Sequence, residues 1–208
     1  MAWQWDARTK RYRDTTSGRY LSPAKMTVLR DRFLDAQGEK ARGAAARLAT
    51  GTRTVTEWQQ DLRKCVKQTF VDQYVLARGG RRQMTPRDWG ALGQMLREQY
   101  GYLNGFAAEV ASGALTQAQI ASRGELYLNS SRQAFEKGQA ASWGVRLSLV
   151  PADGRAECRS NCKCSLKYEQ AETPGIVNVY WVRSAAESCP TCVLMSANWN
   201  PLRVAASA

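Results

Sequence analysis

Five of the chain's six cysteines lie in one 35-residue window, as Cys158-Arg-Ser-Asn-Cys162-Lys-Cys164 followed by Cys189-Pro-Thr-Cys192. The chemistry that such a density suggests is metal binding. Cys189-x-x-Cys192 is the spacing at which two thiolates of one tight turn reach the same tetrahedral ion, and a second cysteine pair upstream closes the shell. Pro190 is expected to fix that turn, and Asn161-Cys162 supplies another. The typical partner is Zn²⁺, and a closed shell of thiolates is structural because no position stays open for water or substrate. Cys158-x3-Cys162-x-Cys164 offers three sulfurs where two are needed, so one of the five is spare. Disulfides or buried free thiols are the other readings of the same cysteines. With no signal segment at the start of the sequence, reduced thiols are favoured.

Histidine is absent from all 208 residues. That removes the Ser-His-Asp triad, the Cys-His pair, histidine-bound catalytic metals and the histidine general base. No Gly-rich phosphate loop and no apolar run of membrane-spanning length is present either. The expectation is a protein that is not an enzyme. Thirty Lys and Arg against eighteen Asp and Glu give a formal charge of +12, which suits an anionic partner such as nucleic acid or an acidic protein surface.

The elements that must position the cysteines follow from cap and period signals. Residues 1–21 hold Trp3, Trp5, Tyr12 and Tyr20 among basic residues that include Arg11 and Arg13. They read as an extended arm or loose hairpin, too poor in apolar surface to stand alone and so expected to dock on the helical body or on another chain. Arginine interleaved with aromatic rings also suits nucleic acid, which makes Arg11 and Arg13 candidate contacts.

Ser22-Pro23 is an N-cap followed by proline at the first helical position, and it starts a helix running to about residue 48. Thr54-x-x-Glu57 is a capping box ahead of Trp58, Leu62, Cys65, Val66, Phe70 and Tyr74 on one face, with Cys65 a core thiol. Gly79-Gly80 breaks this second helix among Arg78, Arg81 and Arg82. Thr85-Pro86-Arg87 restarts the chain as a third helix. A fourth is expected from Thr116 to Trp143. Each spans roughly 24 to 28 residues, about 35 to 42 Å. Four long amphipathic helices with short connections predict a bundle over 22–144. Arg78, Arg81, Arg82 and Arg87 read as a solvated loop able to meet phosphate or an acidic partner.

After Gly144 the texture changes. Val145–Val150 alternates like a strand, Pro151-Ala-Asp-Gly154 reads as a turn, and Ser165–Tyr168 and Ile176–Trp181 read as further strands. The fold class is therefore α+β: a long-helix bundle followed by a small β-rich, zinc-ribbon-like module over 145–208. At about sixty residues such a module commonly relies on a metal in place of missing core.

Asn161-Cys-Lys-Cys164 resembles the Asn-Cys-Arg-Cys signature near the end of the minor head, or head-morphogenesis, proteins of tailed bacteriophages. Asp153-Gly154, Cys158, Tyr180-Trp181, the run Glu187 to Cys192 and Trp199-Asn-Pro-Leu202 continue the likeness, and Gly18-Arg-Tyr20 is similar to a motif near the start of small virion proteins. The resemblance implies a diverged head or head-to-tail connector protein without catalysis. It implies a place in the virion head or neck after assembly in the host cytoplasm, several copies per particle, and portal or major capsid protein as partners. Packaged double-stranded DNA is the anionic partner such a setting offers, met without sequence preference. A zinc-containing nucleic-acid-binding regulator is the alternative that the charge and the four-cysteine pattern leave open.

Overall fold

The computed structural model describes residues 3–185 and 188–206, so Met1, Ala2 and Glu187 of the motifs above lie outside the described residues. The chain is α+β. Hairpin strands β1 (Trp3–Asp6) and β2 (Arg11–Asp14) precede helices α1 (Pro23–Ala49), α2 (Val55–Arg78), α3 (Pro86–Ala111), α4 (Gln117–Asn129) and α5 (Arg132–Ser142). Strands β3 (Ser165–Gln170) and β4 (Ile176–Val182), helix α6 (Pro190–Asn198) and strand β5 (Leu202–Ala205) follow. No helix among the described residues is long and apolar enough to cross a membrane.

The caps form where the sequence places them. Ser22 accepts from Lys25 N, and Thr54 with Glu57, Thr85 with Asp88 and Thr116 with Gln119 each close a reciprocal box. Gly79 ends α2 in the left-handed conformation at φ 81°. A side chain there would also place its Cβ 2.1 Å from Trp5 N, because the hairpin lies directly on this turn. Helix α2 is the centre of the bundle, packing against α1, α3 and α5. Trp58, Leu62, Val66, Phe70, Leu92, Leu103 and Phe106 fill the space between them.

Three expectations are corrected. The fourth long helix is two: Ser130 and Ser131 divide it, with Ser130 Oγ turning back to donate to Tyr127 O at 2.6 Å and restarting the chain as α5. Ser, with a short side chain that bonds its own backbone, favours such a break over a continuous helix. Val145–Val150 is not a strand. No strand among the described residues pairs with it, and it runs as an irregular segment whose Val145 and Val150 are buried while Val150 N donates to Asp153 Oδ2 at 3.1 Å. Pro190 does not close an isolated turn either. It is the first residue of α6, with Cys189 as N-cap, the position where its missing N–H costs nothing.

The N-terminal residues form the hairpin, and it docks on its own bundle. Gln83 accepts from Trp5 N at 3.2 Å and donates to Trp5 O at 2.8 Å, and Tyr12 Oη donates to Ala77 O at 2.6 Å. Rings continue the contact into the C-terminal module. Tyr12 meets Trp5 at 4.9 Å, Trp5 meets Trp143 at 5.7 Å, and Trp143 stacks on Tyr168 of β3 at 5.8 Å. The module itself is a three-stranded antiparallel sheet in the order β3-β4-β5. Val177, Val179 and Trp181 alternate inward from β4, and with Val150, Leu166 and the cysteines they make a second small core.

Candidate metal centre

Each cysteine reaches the cluster from a different local structure. Cys158 and Cys162 flank a single 3-10 turn, Arg159–Asn161. Cys164 stands at the foot of β3, Cys189 caps α6, and Cys192 lies in the first turn of that helix. The sulfurs of Cys158, Cys189 and Cys192 lie within 4.8 Å of one another, as do those of Cys162, Cys164 and Cys192. Two triangles therefore share Cys192, which is 1% exposed. All five cysteines singled out from the sequence are brought together. Cys65 stays apart, buried in the apolar face of α2.

The distances argue against disulfides among these cysteines. Sγ of Cys192 is 3.7 Å from that of Cys158 and 3.7 Å from that of Cys162, and Sγ of Cys189 is 3.5 Å from that of Cys158. A disulfide needs about 2.05 Å. A tetrahedral ion with thiolate bonds of about 2.3 Å sets its ligands about 3.8 Å apart, close to what is observed. The cluster is thus able to hold a metal ion.

Burial, reinforced by the Cys189 and Cys162 sulfurs, pushes the Cys158 thiol up to about 12, and burial raises Cys192 and Cys162 as well. Cys189 is also penalised by burial, yet backbone N–H groups of Cys192 and Cys158 facing its sulfur bring it below the usual thiol range. One sulfur is favoured as thiolate, and burial holds its neighbours as thiols. A cation reverses that balance by displacing the protons. At the start of α5, Arg132 Nε and Ser131 Oγ are buried without a hydrogen-bond partner. Burial lowers the Arg132 pKa, and Cys162 is among the groups its guanidinium faces.

The arginines chosen from the sequence divide. Arg78 is drawn inward. Its Nε donates to Asp88 Oδ2 at 3.1 Å and its other nitrogens donate to Ser142 Oγ and Gln83 O, so the charge run is not wholly a solvated loop. Arg81 and Arg82 are exposed beside Lys67 in a cleft under the hairpin, and Arg81 lies over the Trp89 ring at 5.4 Å. Arg11 lies over the Tyr20 ring at 4.4 Å, and Arg13 Nε donates to Gly18 O. Arg87 lines a separate cleft with Lys10, Lys137 and Arg146, around Trp143 and Val145. Sequence reasoning missed Lys10, Lys137 and Arg146, which come from the hairpin, α5 and the start of the module and carry no shared local signal.

Glu136 was missed for a related reason. It is 1% exposed, and its Oε2 accepts from Leu166 N of β3 at 3.1 Å, tying α5 to the module. Burial pushes its carboxyl up to about 7, against the opposing pull of Arg30, the Leu166 N–H and Arg132. An acid whose pKa is raised by folding contributes most below its unfolded value near 4.5, and the contribution is lost as pH climbs to about 7. Glu136→Gln is expected to remove this loss. In urea titrations the variant should gain up to roughly 3 kcal/mol over wild type between pH 5 and pH 8. An identical pH dependence for both chains would show that the carboxylate is ionised at no cost.

Fold and cluster together define an α+β chain, a five-helix bundle followed by a small antiparallel sheet whose cysteines can hold a metal ion. Comparison with known protein families, with characterised proteins and with solved structures finds no match to this chain.

Proposed function

We propose that this chain is a structural protein of a tailed-phage virion, a minor head or head-to-tail connector protein, in which Zn²⁺ bound by four cysteines stiffens a C-terminal module used for assembly contacts. The observation that carries the reading is the sulfur cluster, buried at Cys162, Cys164 and Cys192, that includes the phage-like Asn161–Cys164 motif. Its most central sulfur is covered on all sides, as suits an ion that shapes a surface and not one that meets a substrate. The partners on this reading are portal or major capsid protein, with several copies in the head or neck of the particle. Mass spectrometry of purified particles should find the chain as a stoichiometric component. Its absence from particles would overturn the virion reading.

Packaged DNA is the anionic partner proposed for the cleft of Lys10, Arg87, Lys137 and Arg146. Duplex DNA should bind without sequence preference, with log K falling linearly with log salt concentration. Replacing a lysine or arginine that meets phosphate should lower that slope by about 1. No retention of duplex DNA at moderate salt would remove the nucleic-acid part. Protection of one defined sequence would favour a zinc-containing regulator instead.

A further inference from the structure

Five sulfurs converge where a tetrahedral ion uses four, and the geometry tells them apart. We infer that Cys158, Cys162, Cys189 and Cys192 are the resident ligands and that Cys164 is a standing replacement for Cys162 alone, an inference that rests on the metal-centre reading above. A four-sulfur shell has to draw on both triangles, because each holds three, and Cys192 belongs to both. Contacts from Cys189 to Cys158 at 3.5 Å, from Cys158 to Cys192 at 3.7 Å and from Cys192 to Cys162 at 3.7 Å join those four residues in one chain, and Cys164 also faces Cys192.

The backbone supports the same set. Cys158 and Cys162 lie at the two ends of one short turn, so a single loop presents both sulfurs, while Cys189 and Cys192 do the same from the first turn of α6. Backbone N–H groups face two of these sulfurs, those of Cys164 and Ala152 at Cys162 and those of Cys192 and Cys158 at Cys189. Metal-bound thiolates are oriented by such donors.

Cys164 differs in its anchorage. It directly precedes the β3 ladder, where Ser165 pairs with Val182 and Leu166 with Trp181. Two residues on from Cys162 in an extended stretch, its side chain falls on the same side of the chain. Its sulfur lies within 4.8 Å of both Cys162 and Cys192. If Cys162 is lost, Cys164 can complete the shell by a side-chain rotation. It cannot stand in for Cys158 or Cys189, which belong to the other triangle.

The test is a titration of the reduced, metal-free full-length chain with Co²⁺, read by the thiolate-to-cobalt charge-transfer absorption, with Zn²⁺ affinity obtained by competition. Cys158→Ser, Cys189→Ser and Cys192→Ser are expected to lose about 100-fold or more in affinity, as removal of a thiolate ligand should. Cys164→Ser should bind within about threefold of wild type with an unchanged spectrum. Cys162→Ser should lose about tenfold and keep a four-thiolate spectrum, and Cys162→Ser/Cys164→Ser should fall into the first group. Far-UV circular dichroism of Cys164→Ser and Cys162→Ser, which the inference expects to stay folded, guards against a trivial loss. A wild-type chain without any charge-transfer band would overturn the metal centre itself. A normal wild-type titration with Cys162→Ser as damaging as the double variant, or with Cys164→Ser as damaging as Cys158→Ser, would overturn the assignment of Cys164 alone.

Discussion

Cys192→Ser is expected to unfold the C-terminal module while the helical bundle survives. Cys192 is the vertex common to both sulfur triangles and is 1% exposed, so no other sulfur can take its place. The module's apolar core is modest, centred on Val150, Leu166, Val177, Val179 and Trp181. Structural zinc contributes about 10 kcal/mol or more to small domains that it folds, well beyond the stability such a core supplies alone. The measurement is a pair of melting curves. Trp181 and Trp199, in edge-to-face contact at 5.5 Å, report on the module by near-ultraviolet circular dichroism, and far-ultraviolet ellipticity reports on the helices. In the variant the contribution of Trp181 and Trp199 to the near-ultraviolet signal should be lost at 25 °C, with the bundle's aromatic signal and the helical signal mostly retained. A variant with wild-type aromatic ellipticity and an unchanged melting curve would mean that the sulfur cluster adds nothing to the fold.

Gly138→Val should be the most damaging single change within the bundle. A Cβ at this position of α5 would sit 2.8 Å from Ala77 Cβ and 2.9 Å from Tyr74 O, and the second contact is with backbone that cannot rotate away. Helices α2 and α5 would have to part at the point where the hairpin and Glu136 also depend on them. Overpacking of this kind costs about 3 kcal/mol at the upper end of its usual range. Gly105→Ala in α3 is the matched control, because nothing lies within 4 Å of the added Cβ. There the gain in helix propensity is expected to dominate, stabilising by up to about 1 kcal/mol. Urea unfolding of the two variants should move in opposite directions, and a Gly138→Val midpoint equal to that of wild type would show that α2 and α5 are not as close as described.

Local chemistry made the helix starts legible. Ser22-Pro23, Thr54 with Glu57 and Thr85 with Asp88 announce themselves because a cap is satisfied within four residues of itself. The break at Ser130–Ser131 gave no such notice, since the apolar period of the flanking segments continues through it and neither Gly nor Pro marks it. Val145–Val150 shows the converse. Alternation is necessary for a half-buried strand, but a strand also needs a neighbour, and the small sheet formed from β3, β4 and β5 left this segment none.

At the candidate site the five cysteines were visible from spacing alone. Their grouping into two triangles was not, because it depends on α6 beginning at Pro190 and on where the 3-10 turn at Arg159 sets Cys158. Arg78 reads as part of a solvated loop in the sequence, and Glu136 carries no signal of its own there. Asp88, ten residues after Arg78, and Leu166, thirty residues after Glu136, make them interior. Pairings of that kind arise from packing between elements and have no one-dimensional signature.

Elemental analysis of the protein purified without added metal or chelator is the decisive measurement. About one zinc ion per chain is expected, with none of the five clustered thiols reactive toward an alkylating reagent until a chelator is added. Metal-free protein whose clustered thiols react freely in the folded state, with melting unaffected by chelator, would contradict a structural zinc site.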